Sequence, residues 1–141
     1  MTDRLYYTDS MLTSFDATVA GCEAAGDRFS VVLDRTAFYP ASGGQPFDTG
    51  TLGATRVLDV IDHDDGGVVH LTEAPIVLST VVRGEIDWPR RFDHMQQHTG
   101  QHMLSAAFDR LHAAPTVSFH LGAETATIDL AREVTPGQIA D

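Results

Sequence analysis

Two histidines four residues apart, in His98-Thr99-Gly100-Gln101-His102, are the residues of this chain whose type and spacing most directly suggest chemistry. On a helix, positions i and i+4 lie on one face a turn apart, so both imidazoles can converge on one metal ion. His94 stands one turn earlier on the same side. Gly100 costs about 1 kcal/mol against alanine in a helix interior, which marks a close approach of substrate or backbone. The segment is not the His-Glu-x-x-His of zinc proteases, because Thr99 occupies the place of the glutamate. A catalytic zinc usually takes three protein ligands and keeps one open position. The other candidates are His63, His70, His94, His112, His120, Cys22 and the carboxylates, and none forms a second pair. Two unrelated surface histidines are the alternative reading.

A second candidate runs from Phe38 to Gly50 and contains Ser42-Gly43-Gly44-Gln45-Pro46. Adjacent glycines between Pro40 and Pro46 make a tightly turning loop with accessible backbone N–H groups, a geometry that approaches a phosphate or a carboxyl ester. Gln45 can hydrogen-bond a carbonyl. A loop selected only for its turns is the alternative.

These residues need elements to hold them. Phe15, Ala17 and Val19 alternate with polar neighbours, as do Phe29, Val31 and Leu33, at the period of half-buried strands. Ala24 to Asp27 separates them at hairpin distance. Val57 to Ile61 and Val68 to Leu71 flank a second turn, Asp62 to Gly67, and Val81 to Ile86 adds another strand. Short strands at this spacing predict a small antiparallel barrel or sandwich. The character changes at Asp87-Trp88-Pro89, where Asp87 can cap and Pro89 suits a first helical turn. A helix is predicted over 90–113, with Phe92, Met95, Thr99, Met103, Ala107 and Leu111 in one apolar stripe bordered by the histidines. Pro115 stops it. Strands follow over 116–121 and 125–130, and Thr135-Pro136 opens another helix. The expected fold is α+β: a β-barrel-like domain over 1–87 carrying the glycine-rich loop, then a two-layer α/β portion over 88–141.

Composition narrows the function classes. The 141 residues carry a net charge of −11, and all nine basic residues are arginine. That balance argues against tight, non-specific nucleic-acid binding, which rests on clustered Lys and Arg. It leaves room for an RNA substrate held briefly. One cysteine, Cys22, excludes an internal disulfide framework and a cysteine-only zinc site. No secretory signal and no apolar run of membrane-spanning length is visible, so a cytoplasmic protein is expected.

Taken in order, Phe15 to Val19, Leu33 to Pro40, Ser42 to Gly50, Arg91 to Ser105, Val117 to Gly122 and Thr127 to Leu130 resemble one family. It is that of the alanyl-tRNA editing proteins (AlaX type), relatives of the editing domain of alanyl-tRNA synthetase. The resemblance implies hydrolysis of the ester of tRNA(Ala) mischarged with serine, or in some members glycine, at a zinc site. By resemblance His98 and His102 are two of the zinc ligands, and the loop around Gly43, Gly44 and Gln45 lies near the site. Thr116 falls where the family places a serine-sensing hydroxyl. Arg83, Arg90, Arg91 and Arg110 would meet tRNA phosphates. An apolar synthetase pocket rejects an analogue with one added hydroxyl poorly, so a second, hydrolytic site makes chemical sense.

The family also places a Cys-x-x-x-His pair downstream, and none follows Asp129 here. The expectation is therefore a truncated editing domain with the first half of a metal site, completed by self-association or by a second chain. The competing expectation is a remnant of the family without activity, which binds tRNA or protein.

Overall fold

A computed structural model describes residues 1–64, 66–122 and 125–140. Asp65, within the second expected turn, lies outside the described residues, as does Asp141. The protein is α+β and divides into two compact units, Met1–Arg91 and Phe92–Asp141.

The first unit is built on a closed antiparallel barrel. Its strands are β2 (Ser14–Ala25), β3 (Arg28–Leu33), β5 (Gly50–Leu52), β6 (Thr55–Asp62), β7 (Val68–Thr72) and β8 (Val81–Ile86), paired around the barrel in the order β2-β3-β7-β6-β5-β8. Two short strands, β1 (Asp3–Arg4) and β4 (Arg35–Thr36), pair in parallel beside it. The first expected hairpin turn forms, and β6 and β7 pair on either side of the second. Gly26, at φ +67°, joins β2 to β3 in the left-handed region that glycine adopts without strain. β5 has only three residues inside a glycine-rich stretch, too short for any periodicity to register.

Alternation along these strands puts Phe15, Val19, Val31, Leu33, Leu52, Val57, Val60 and Val68 into one core with Phe38. Phe15 and Phe38 meet edge to face, 5.8 Å between ring centres. Gly84 on β8 lies opposite Phe15, and a Cβ there would sit 2.5 Å from the ring, so the barrel closes over Phe15 only because that position has no side chain.

One core residue is a histidine. His70 is fully buried, its Nδ1 3.1 Å from the Val31 carbonyl and its Nε2 2.8 Å from Thr36 Oγ1. A carbonyl only accepts, so Nδ1 carries the proton and Nε2 accepts from the threonine hydroxyl. Thr36 Oγ1 in turn accepts from the Phe38 backbone N–H at 3.1 Å. The neutral ring is thus satisfied at both nitrogens, and burial lowers its pKa to about 4. His70 therefore serves the barrel core.

A pH effect follows. Below about 6.5 the unfolded chain protonates this histidine while the folded chain does not, so stability falls as the pH drops from there through about 4. The full effect is about 3 kcal/mol at 1.4 kcal/mol per pH unit. In urea titrations at pH 7, 5 and 4, the wild type should lose about that much more than His70→Gln. Equal losses in the two proteins would show that this ring does not set the dependence.

The long helix α1 spans Trp88–His112. Asp87 precedes it, at the capping position that the sequence suggests. Its carboxylate accepts from both terminal nitrogens of Arg56, which chiefly lowers its pKa, and from Thr49 Oγ1 at 2.5 Å, while its backbone carbonyl accepts the Arg91 N–H. The first turn is thereby tied to β5 and β6.

In the second unit, β9 (Thr116–Leu121) and β10 (Ala126–Leu130) form an antiparallel pair, and a short helix α2 covers Pro136–Ala140. The expected apolar stripe of α1 is largely solvent-facing: Phe92, Met103 and Leu111 are exposed. The line that is covered instead runs through Arg91, His94 and Gln101 to Ser105 and Phe108. Periodicity located the apolar residues correctly but not the side of the helix that its neighbours cover.

Candidate functional site

On α1, His98 and His102 stack with ring centres 4.8 Å apart and planes 22° from parallel. Phe119, from β9, lies against both, at 5.7 Å and 6.1 Å between centres. Burial, and secondarily the nearness of His102, lowers the pKa of His98. A histidine held neutral keeps a nitrogen lone pair for a metal ion, and Phe119 supplies an apolar wall. Two imidazoles are fewer ligands than a metal centre needs, and no group of three or more His, Cys, Asp or Glu gathers among the described residues.

Thr116 opens β9 half-buried, and its hydroxyl shares a 2.7 Å hydrogen bond with Ser105 Oγ. Gln101, a turn before Ser105 on α1, donates from Nε2 to the same oxygen at 2.8 Å. Sequence reading did not single out Ser105, Gln101 or Phe119. Their only signal was spacing: Gln101 and Ser105 are four apart, offset by three from the histidine pair.

The glycine-rich loop lies in the first unit. Ser42 and Gln45 exchange backbone hydrogen bonds of 3.0 Å and 3.2 Å, and between them Gly43 (φ +56°) and Gly44 (φ +80°) turn the chain. Positive φ at both central residues suits a two-residue hairpin turn, which is why glycine occupies both. Gly43 and Gly44 are exposed at the tip, and Gln45 is buried behind them. Asp48 fixes the base of the loop. Its carboxylate accepts the Tyr39 N–H at 2.6 Å, and its own N–H donates to the Tyr39 carbonyl at 2.9 Å.

Arg91 holds Asp48. Its Nε lies 2.9 Å and 2.8 Å from the two carboxylate oxygens, Nη1 donates to the Ser10 carbonyl at 2.9 Å, and Nη2 donates to Asp48 and the Ala37 carbonyl. Arg91 is buried, so in this arrangement its guanidinium secures the loop from below. Of the other arginines considered as phosphate contacts, Arg83 bonds Ser14 Oγ, and Arg90 lies over the Phe47 ring while donating to the Phe47 carbonyl. Arg110 is exposed in the last turns of α1. The candidates thus fall into two groups: Gly43, Gly44, Gln45 and Arg91 in the first unit, and His98, His102 and Thr116 in the second.

Comparison with known proteins places these features in a family. A family model described as tRNA synthetases class II (A) matches residues 3–90. The alanyl-tRNA editing protein Aarsd1 of Mus musculus is 38% identical over 94% of this chain and 35% of its own length. The alanyl-tRNA editing protein AlaX-L of Pyrococcus horikoshii is 36% identical over 95% of this chain and 35% of its own length. AlaX-M of Methanosarcina barkeri is 36% identical over 95% of this chain and 58% of its own length. The chain therefore spans between about a third and three fifths of the length of these relatives. Among the described residues, no helix is long and apolar enough to cross a membrane. The chain belongs to the family of class II (A) tRNA synthetases, and the relatives it resembles there are named alanyl-tRNA editing proteins.

Proposed function

We propose that this chain serves a trans-editing hydrolase that removes serine, or glycine, from mischarged tRNA(Ala) in the cytoplasm. The observation that carries the reading is the stacked His98–His102 pair with His98 held toward its neutral form. Two imidazoles on one helix face fit zinc as part of its ligand set. A bound zinc would polarise the ester carbonyl or lower the pKa of a water toward 7. In the reaction, the water oxygen bonds to the ester carbonyl carbon, the bond to the terminal ribose oxygen breaks, and that oxygen takes the proton. In this reading Thr116 meets the side-chain hydroxyl of the seryl group and Gln45 donates to a carbonyl. The N–H groups of the exposed Gly43 and Gly44 receive a phosphate of the tRNA, and Arg91 acts on substrate through the loop that it holds.

A second reading is a tRNA- or protein-binding module without turnover, or a chain that self-associates. It is favoured by the apolar exposure of the second unit, where Met103 is 70% exposed, Leu111 65%, Val117 67% and Ile139 64%.

The test is deacylation of tRNA(Ala) charged separately with serine, glycine and alanine, beside metal analysis of protein prepared without an affinity tag. Release of serine or glycine with alanine retained, and zinc in stoichiometric amount, is the expected result. Neither release nor zinc at high protein concentration would sink the hydrolase reading in favour of the binding module.

A further inference from the structure

Tyr7 is a large aromatic side chain left 73% exposed on the first unit, and its neighbours hold it in place. It ends a single 3₁₀ turn, Leu5–Tyr7, which Thr8 fastens by donating from its N–H and its Oγ1 to the Leu5 carbonyl at 3.0 Å and 2.9 Å. The Tyr7 ring meets Tyr6 edge to face at 4.8 Å between centres, and Tyr6 meets Tyr39 the same way at 5.2 Å. Arg4 Nη1 donates to the Tyr7 hydroxyl at 3.5 Å. Tyr39 in turn donates from its hydroxyl to the Ser42 carbonyl at 3.4 Å, so a row of three rings leads from solvent to the glycine-rich loop. A ring with little freedom left to lose is a good stacking surface, because binding costs it little entropy.

Beside Tyr7 lies an open hollow of about 670 Å³, lined also by Asp3, Arg4, Thr8 and Gly66. Its chemistry favours a base over a phosphate. The Arg4 guanidinium is already engaged by Asp62, at 2.8 Å and 2.5 Å, and the exposed Asp3 carboxylate repels an anion. A carboxylate does accept the amino group of cytosine or adenine, the two bases of the CCA end that tRNAs carry. We propose that Tyr7 is the stacking platform for an unpaired base of that 3′ end, while the loop at the other end of the ring row meets the backbone of the same strand. This rests on the reading of the chain as one that handles tRNA. Stacking needs no excess of positive charge, which suits a chain of net charge −11.

The test is an NMR titration of the chain with two single strands, the tetranucleotide ACCA and an abasic ribose-phosphate strand of the same length. ACCA should move the Tyr7 ring protons upfield, the mark of a base stacked over them. Tyr7→Ala should weaken ACCA about tenfold or more, the worth of one stacked base, and Tyr7→Phe should restore it. The loss should be the same at low and high salt, since counterion release belongs to phosphate contacts. The abasic strand should bind wild type and Tyr7→Ala alike. A ring that only props the loop would weaken both strands together. Equal weakening, no upfield shift at millimolar ACCA, or a loss that vanishes at high salt overturns the inference. If the wild type still deacylates Ser-tRNA(Ala), the functional reading stands and the inference alone falls. The upfield shift without deacylation keeps the stacking site and moves it to the binding-module reading. A wild type that neither shifts with ACCA nor deacylates Ser-tRNA(Ala) removes both.

Discussion

Arg91→Ala is expected to destabilise the barrel unit by about 3–5 kcal/mol, the usual result of removing one partner of a buried ion pair. Arg91 and Asp48 have side chains 3% and 1% exposed, so the carboxylate left behind has no water to solvate it. The Ser10 and Ala37 carbonyls lose their donors in the same step. Against a total of about 5–15 kcal/mol for a typical domain, that is a large share. A urea titration should show a lower midpoint with little change in slope. The pairing makes a sharper prediction. Arg91→Met combined with Asp48→Asn should be more stable than Arg91→Ala alone, because no charge is left unpaired in the interior. A loss under about 1 kcal/mol for Arg91→Ala would mean that water reaches Asp48 and that the pair behaves as a surface bridge.

The contrast between Arg91 and its neighbours on α1 shows what the sequence revealed and what it hid. Alternating Phe15-Ala17-Val19 and Phe29-Val31-Leu33 identified barrel strands because a strand's period of two is local and one face of each is buried. The i, i+4 histidine pair was equally legible, since helix geometry alone brings the rings to one face. The ion pair was not. Arg91 and Asp48 are 43 positions apart, and nothing local in the sequence says that the barrel brings a carboxylate to that guanidinium. For the same reason Arg91 reads from sequence as a phosphate contact. Burial of α1 was misjudged through a related limit: apolar periodicity reports which residues are oily, while coverage depends on what packs there. On α1 the covered line is polar at Gln101 and Ser105, and those residues hold Thr116. His70 is the converse case, a titratable residue that sequence reading keeps among possible metal ligands and that the barrel absorbs into its core.

His98→Ala or His102→Ala is expected to abolish stoichiometric zinc and to lower deacylation of Ser-tRNA(Ala) by at least ~100-fold, since changes beyond the ligand shell already cost about 10–100-fold at metal sites. The two substitutions should behave alike. With the rings stacked 4.8 Å apart, the proposed site uses the pair as a chelate, in which one imidazole alone would retain little of the affinity of two. For the same reason the double variant should be barely worse than either single one, a non-additivity that separates a shared metal site from two independent contacts with substrate. Stability is the control. His102 is exposed and His98 only half-buried, so the unfolding free energy from urea titration should change by no more than about 0.5 kcal/mol, far less than for Arg91→Ala. Undiminished zinc in both single variants would remove these residues from the metal site. Additive losses of activity with unchanged zinc would instead assign each imidazole its own contact with the aminoacyl end of the tRNA.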